Sequence, residues 1–130
     1  ARPIMVSEVK RPCMLFYIHE TYSPTLSEQE IYDSVRQFWH QVSEENRHTL
    51  AYPVALGVVE GVVIRAYSIA AWFPAGTTFS TRKCIGRKSD KWEFVGQKLE
   101  DHPLLGRLLV DQRGNPIPAL QKGYSYLPRA

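Results

Sequence analysis

Two β-branched runs joined by two residues constrain the fold of this chain more than any other feature. Val54 to Val59 and Val62 to Ile69 flank Glu60-Gly61, where Gly61 supplies the positive φ that a two-residue turn requires. A β-hairpin of this kind excludes a purely parallel sheet. Arg65 interrupts the second run, so one face of that strand is expected to be incompletely buried. Upstream, Cys13-Met14-Leu15-Phe16-Tyr17-Ile18 is short and apolar throughout, the pattern of a central strand covered on both faces.

The best-specified helix starts at Ser27. Ser27-Glu28-Gln29-Glu30 is a capping box, in which the Ser27 hydroxyl accepts the Glu30 amide and the Glu30 carboxylate accepts the Ser27 amide. Leu26 and Ile31 stand at the staple positions. Ile31, Val35, Phe38 and Val42 recur at helical spacing and predict a helix of about four turns. Glu30, Asp33, Arg36 and Gln37 fall mostly outside that apolar stripe, and Trp39 lies beside it. Ser43 to His48 reads as a short helix or a loop, and Pro53 ends any helix there.

Beyond the hairpin, Ala70 to Gly76 reads as a strand exit into a loop, and Phe79 to Arg87 as a strand and a turn. Lys91-Trp92-Glu93-Phe94-Val95 alternates as a strand, with Trp92 and Phe94 on the opposite side from Glu93. After Pro103, the spacing of Leu104, Leu105, Leu108 and Leu109 predicts a second helix, which Gly106 weakens by roughly 1 kcal/mol. Arg113-Gly114-Asn115-Pro116 is a turn, and Tyr124 to Leu127 a last edge strand. The order β, α, β-hairpin, β, β, α, β predicts an α+β fold: a mixed, mostly antiparallel, barrel-like sheet with flanking helices. Residues 1–12, with Pro3 and Pro12 and no sustained period, read as a flexible lead-in, and residues 13–130 as a single domain. A chain of 130 residues can bury one core without disulfide or metal staples.

Charge is distributed unevenly. Residues 1–60 hold five Lys/Arg against eight Asp/Glu, a balance of −3, whereas residues 61–130 hold eleven against five, a balance of +6. The excess is densest from Arg82 to Lys98, and such a field attracts polyanions before contact. Trp72, Phe73, Phe79, Trp92 and Phe94 lie among the cations, and aromatic faces stack on bases at ~1–3 kcal/mol each. The candidate nucleic-acid-binding residues are therefore Arg65, Trp72, Arg82, Lys83, Arg87, Lys88, Lys91 and Trp92. The competing reading is a solvated loop of mixed charge beside core aromatics.

Catalytic signatures are sparse. The sequence has no P-loop, GxGxxG, HExxH, GxSxG or EF-hand pattern. His19, His40, His48 and His102 show no ligand spacing with one another or with Cys13 and Cys84, so neither a metal nor a cofactor is expected. The catalytic candidates are His19 and Glu20, near Tyr22, just beyond the buried strand, where a rigid scaffold presents a loop. The two cysteines form no CxxC motif and read as reduced thiols of a cytoplasmic protein. Glu8 and Lys10 interrupt the first ten residues, so no signal peptide is expected, and the apolar stretches are too short to span a bilayer.

Taken together, Val54 to Val59, Glu60-Gly61, Val62 to Ile69 with Trp72, and Lys91 to Gly96 resemble the PUA-like superfamily, which includes the ASCH, EVE and YTH domains. The similarity spans roughly residues 13–110 and extends to small domains found beside bacterial nuclease domains. The resemblance implies a compact barrel-like mixed sheet that binds RNA or a modified base in a cleft, with Trp39, Trp72 and Trp92 as candidates. Some members of such families are RNA-processing or amide-hydrolysing enzymes. The expected function is thus a nucleic-acid-binding module, for RNA or DNA, with no membrane partner. The alternatives are a small hydrolase or nuclease of the same fold, or a protein-interaction module of a larger assembly.

Overall fold

The hairpin forms as its sequence requires. Strands β4 (Val54–Val59) and β5 (Val62–Pro74) pair antiparallel, and Glu60 (φ 50°) and Gly61 (φ 83°) both adopt positive φ, as a type I′ turn demands. The structure, a computed structural model, describes residues 1–120 and 122–129; Gln121 and Ala130, inside the expected domain range, lie outside the described residues.

Strand β2 (Cys13–Tyr17) lies between β4, in parallel, and β8 (Tyr124–Leu127), antiparallel. All five of its residues are buried, because alternate side chains enter two different clusters. Cys13, Leu15 and Tyr17 join Leu56, Val58, Val63, Leu109 and Leu127 on one face. Met14 and Phe16 join Val35, Ala55, Tyr67, Phe94 and Tyr124 on the other. This period of two explains why the run is apolar throughout.

Among the described residues there are eight strands in one sheet and one α-helix, so the fold is mainly β and only loosely α+β. The sheet runs β1 (Pro3–Met5), β7 (Leu108–Val110), β5, β4, β2, β8, and β6 (Lys91–Lys98) pairs with both β5 and β3 (Trp39–His40). Five strand pairings are antiparallel and two, β1 with β7 and β2 with β4, are parallel. The mixed, mostly antiparallel expectation therefore holds. The barrel does not: β1 and β8 end the path without pairing to one another.

Helix α1 (Glu28–Arg36) opens with the full capping box, Glu30 N to Ser27 Oγ at 3.1 Å and Ser27 N to Glu30 Oε1 at 2.9 Å. It packs on β4 and β6, and it comes so close that a Cβ at Gly57 would stand 2.7 Å from Val35 Cγ2. The helix is nine residues long, shorter than the expected four turns. Its last carbonyls are taken by side chains from beyond it: Trp39 Nε1 donates to Val35 O at 2.8 Å, and Arg82 Nη1 donates to Asp33 O at 3.3 Å and Gln37 O at 2.8 Å. Gln37 turns extended, and Trp39 pairs with Trp92 of β6.

Three further expectations are corrected. The second helix is absent: residues 104–107 form a turn through Gly106 at φ 80°, and Leu108 to Val110 become β7 because β1 offers them backbone partners. The segment 1–12, expected as a flexible lead-in, carries β1 and a 3-10 turn (Val6–Glu8) and buries Val6 and Val9. The stretch from Phe79 to Arg87 is irregular rather than a strand, while β5 continues past Ile69 to Pro74.

The start of α1 is tied to the sheet by charge. Glu28 accepts Arg65 Nε at 3.0 Å and Nη2 at 2.6 Å, and lies 3.0 Å from Lys98 Nζ. These hydrogen bonds, first from Arg65 and then from Lys98, hold the Glu28 carboxyl down at about 2. The depressed value contributes stability that is complete above the ordinary Glu value of ~4.3 and lost as pH falls toward 2. Glu28 is more than half exposed, so solvent screening limits the contribution to about 1 kcal/mol at most. Replacing it, Glu28→Gln, is expected to lower the denaturant midpoint slightly at neutral pH. The difference should shrink in about 1 M salt, where the Debye length is ~3 Å. It should fall away as pH drops through about 2; a difference unchanged by salt and pH would assign the loss to packing.

Candidate functional site

The chain leaves the sheet just after β2, where Ile18 N donates to Val58 O at 3.0 Å, and His19, Glu20 and Thr21 form the first wall of a cleft. Gln37, Phe38 and Trp39, where α1 gives way to β3, form the second. The third is the strip Arg82 to Ile85 of the loop between β5 and β6. Lys91, Lys122 and Gly123 complete a cleft of about 430 Å³.

A buried ionic cluster positions the third wall. Asp33, Arg36 and Glu93 are exposed by 0%, 2% and 0%, although nothing in their sequence spacing requires burial. Arg36 Nε donates to Asp33 Oδ1 at 2.7 Å, Nη1 to Thr78 Oγ1 at 2.7 Å and Phe94 O at 3.2 Å, and Nη2 to Phe79 O. Glu93 accepts the Gly76 amide at 2.6 Å and the Thr78 amide at 3.1 Å, together with the Thr78 hydroxyl. Asp33 accepts the Thr81 amide at 2.8 Å and hydroxyl at 2.7 Å. Burial pushes the Asp33 carboxyl up, but Thr81 and then Arg36 outweigh it and leave the group below its ordinary value. Together these bonds pin residues 76–82 against α1 and β6.

Gln37 stands where that pinned loop meets the cleft. The Ser80 hydroxyl accepts the Arg82 amide at 2.9 Å and donates to Gln37 Oε1 at 2.5 Å, which fixes the amide's orientation. Gln37 Nε2 is buried and has no hydrogen-bond partner among the described residues, a situation that costs ~1–3 kcal/mol unless an acceptor reaches it. Gln37, Arg82, Lys83 and Cys84 also line a second, smaller cavity of about 290 Å³, together with Lys88.

The structure brings some of the expected site residues together and separates others. His19, Glu20, Arg82, Lys83 and Lys91 line the main cleft, Lys88 lines the smaller one, and Arg87 is exposed in the same loop. His19 Nε2 lies 3.9 Å from Glu20 Oε1, beyond hydrogen-bond reach, and Glu20 projects into solvent. Arg82 is half-buried, with its guanidinium 5.1 Å from the centre of the Phe38 ring. Arg65 belongs elsewhere, engaged by Glu28. Trp72 packs edge-on against Phe94 at 5.3 Å, and Trp92 lies under the Arg47 guanidinium at 3.5 Å, so neither lines the cleft. The aromatic residues lining the cleft are Tyr17, Phe38 and Trp39, the last packed at a tilt of 38° against Phe16 at 4.9 Å. Glu93, expected on the opposite side of the strand from Trp92 and Phe94, is buried because residues 76–82 cover it there.

Sequence reasoning missed Gln37, Phe38 and Lys122. The signal within reach was the hydroxyl-rich run Thr77-Thr78-Phe79-Ser80-Thr81, whose donors require acceptors such as Asp33 and Gln37. Both thiols are free, and burial pushes Cys13 up to about 12, which leaves it unreactive. Among the described residues, no group of three His, Cys, Asp or Glu side chains is placed to hold a metal ion, and no helix is long and apolar enough to cross a membrane. No protein-family model, curated protein or solved structure matches the chain.

Proposed function

We propose that this chain is a nucleic-acid-binding module whose contact surface is the basic cleft between the end of β2, the α1–β3 junction and the strip Arg82 to Ile85. The observation that carries the reading is Gln37 Nε2, a buried amide donor without a partner among the described residues, on a residue that lines the same cleft as Arg82, Lys83, Lys91 and Lys122. Cations hold phosphates through charge, and a fixed amide donor beside them suits the acceptor edge of a base. The PUA-like resemblance belongs to the same proposal; its segments form the adjacent strands β4, β5 and β6. So does a cytoplasmic location, where the free thiols Cys13 and Cys84 persist.

The hydrolase or nuclease alternative has less support. His19 and Glu20 share the cleft, but their 3.9 Å separation and exposure leave the imidazole without an orienting partner. A protein-interaction role draws on Phe79 and Ile85, which are exposed, yet they stand in a loop dense with cations.

Fluorescence anisotropy with single- and double-stranded DNA and RNA across a salt series tests the proposal. Binding should weaken steeply with salt, and Lys83→Glu and Lys91→Glu should each reduce the log-log salt slope by about 1 for every phosphate no longer engaged. No binding at low salt to any of the four nucleic acids would overturn it.

A further inference from the structure

A second groove adjoins the basic cleft. Leu120 and Lys122 line both, and the groove continues past them over about 630 Å³ toward Asn46, Tyr52, Tyr126 and Arg129. Its charged lining residues are Lys122 and Arg129, with no carboxylate among the described residues that form it. Its floor is aromatic: the Tyr52 and Tyr126 rings lie 4.6 Å apart at 43°, and Tyr126 stands edge-on to Tyr124 at 5.9 Å. Tyr52 and Tyr126 both line the groove and are both partly exposed. Tyr124 is buried and locked, its hydroxyl donating to His40 O at 2.8 Å, which makes the platform rigid.

Cationic flanks around π faces are complementary to a strand whose phosphates and bases are both accessible. In a duplex the base faces are occupied by one another, whereas a single strand can lay successive bases on aromatic rings and its backbone along Lys or Arg. We infer that the basic cleft and the Tyr52/Tyr126 groove form one continuous track for single-stranded nucleic acid. One base enters the cleft beside Gln37, the backbone passes Lys122, and a neighbouring base stacks on the Tyr52/Tyr126 platform. The inference rests on the nucleic-acid reading and adds to it the strandedness of the ligand and a second subsite, about which the first cleft alone says nothing.

The test compares fluorescein-labelled single-stranded oligouridylate, oligothymidylate and a duplex of matched length, using the full chain. The single strands should bind more tightly than the duplex, with RNA against DNA reporting whether a 2′-hydroxyl is read. Tyr52→Leu, which keeps apolar packing but removes the ring, should weaken single-strand binding about 5- to 150-fold, the range that one base stack spans, and leave duplex binding unchanged. Tyr52→Phe should restore it. Arg129→Glu, an exposed replacement that leaves packing intact, should weaken single-strand binding even if a tyrosine variant proves unstable. If Lys83→Glu weakens binding while Tyr52→Leu and Arg129→Glu do not, the track is overturned and the basic cleft stands alone, the groove being left to a protein segment. If no nucleic acid binds, the underlying reading fails and the track fails with it.

Discussion

Arg36→Met is expected to destabilise the protein by about 3–5 kcal/mol, a large share of what a domain of this size possesses. Methionine fills much of the same volume, so the loss comes from charge and hydrogen bonding rather than from a cavity. Arg36 is the cation in a buried trio with Asp33 and Glu93, and its removal strips both carboxylates of this counter-charge. It also removes the donors that satisfy Phe79 O and Phe94 O. Arg36→Lys keeps the charge but cannot reproduce the planar fork that reaches Asp33, Thr78 and Phe94 together, so it should fall between wild type and Arg36→Met. The pH dependence identifies the mechanism. In the wild type the Asp33 carboxyl is held below its ordinary value, so its contribution is complete above ~3.9 and lost as pH falls through the folded value. In Arg36→Met only the Thr81 bonds still oppose burial, so the Asp33 value rises relative to wild type and the variant's deficit should shrink as pH drops. Denaturant titrations of both proteins from neutral pH to about pH 3, below the ordinary Asp value, measure this. A deficit under about 1 kcal/mol, or one that widens in acid, would refute the cluster's assigned role. Because the cluster pins residues 76–82, proteolysis in that loop should accelerate in the variant, and the wall of the basic cleft should loosen with it.

Signals in the sequence are legible where the physics is local. The type I′ hairpin follows from Glu60-Gly61 between β-branched runs, the start of α1 from its capping box, and β2 from the apolar run Cys13 to Ile18 between Pro12 and His19. The end of α1 is not legible, because the groups that take its last carbonyls come from Trp39 and from Arg82, far along the chain. The leucines after Pro103 have helical spacing, but Gly106 turns left-handed and β1 supplies a ladder that outcompetes a weak helix. The same limit applies to the candidate site. A basic cluster counted along the chain combines Arg65, which Glu28 neutralises, with Lys83 and Lys91, which line a cleft. Tryptophans interleaved with cations are equally ambiguous: Trp72 is packed against Phe94, Trp92 lies under Arg47, and the aromatic residues that line the cleft are Tyr17, Phe38 and Trp39. Asp33 and Arg36 fall outside the apolar stripe of the helix and look solvent-facing, until a loop rich in Thr and Ser closes over them.

Gly96→Ala is expected to be the most disruptive single-methyl change in the chain, at about 3 kcal/mol or more. Gly96 pairs with Ile69 where the β5–β6 register shifts between Ile69 and Ala71, and its amide donates to the Tyr32 hydroxyl at 2.8 Å instead of continuing the ladder. A Cβ there would stand 1.8 Å from Ser68 O and 2.9 Å from Ser68 C. Both are backbone atoms, so no side-chain rotation relieves the overlap, and β5 and β6 must separate. The consequence extends beyond the bulge, because β6 also carries Glu93 into the ionic cluster and Lys91 into the cleft. Gly114→Ala is the matched control. Gly114 has φ 82°, and no atom beyond its chain neighbours lies within 4 Å of where its Cβ would stand, so alanine there meets only the cost of a left-handed backbone, about 1 kcal/mol. Denaturant midpoints of the two variants decide between space and backbone conformation as the reason for each glycine. If Gly96→Ala lost no more than Gly114→Ala, the close approach of Ser68 could not be what the bulge is built around. If it loses several times more, the register of β5 against β6 is set by the absence of a side chain at one position, and the placement of Lys91 in the cleft depends on it.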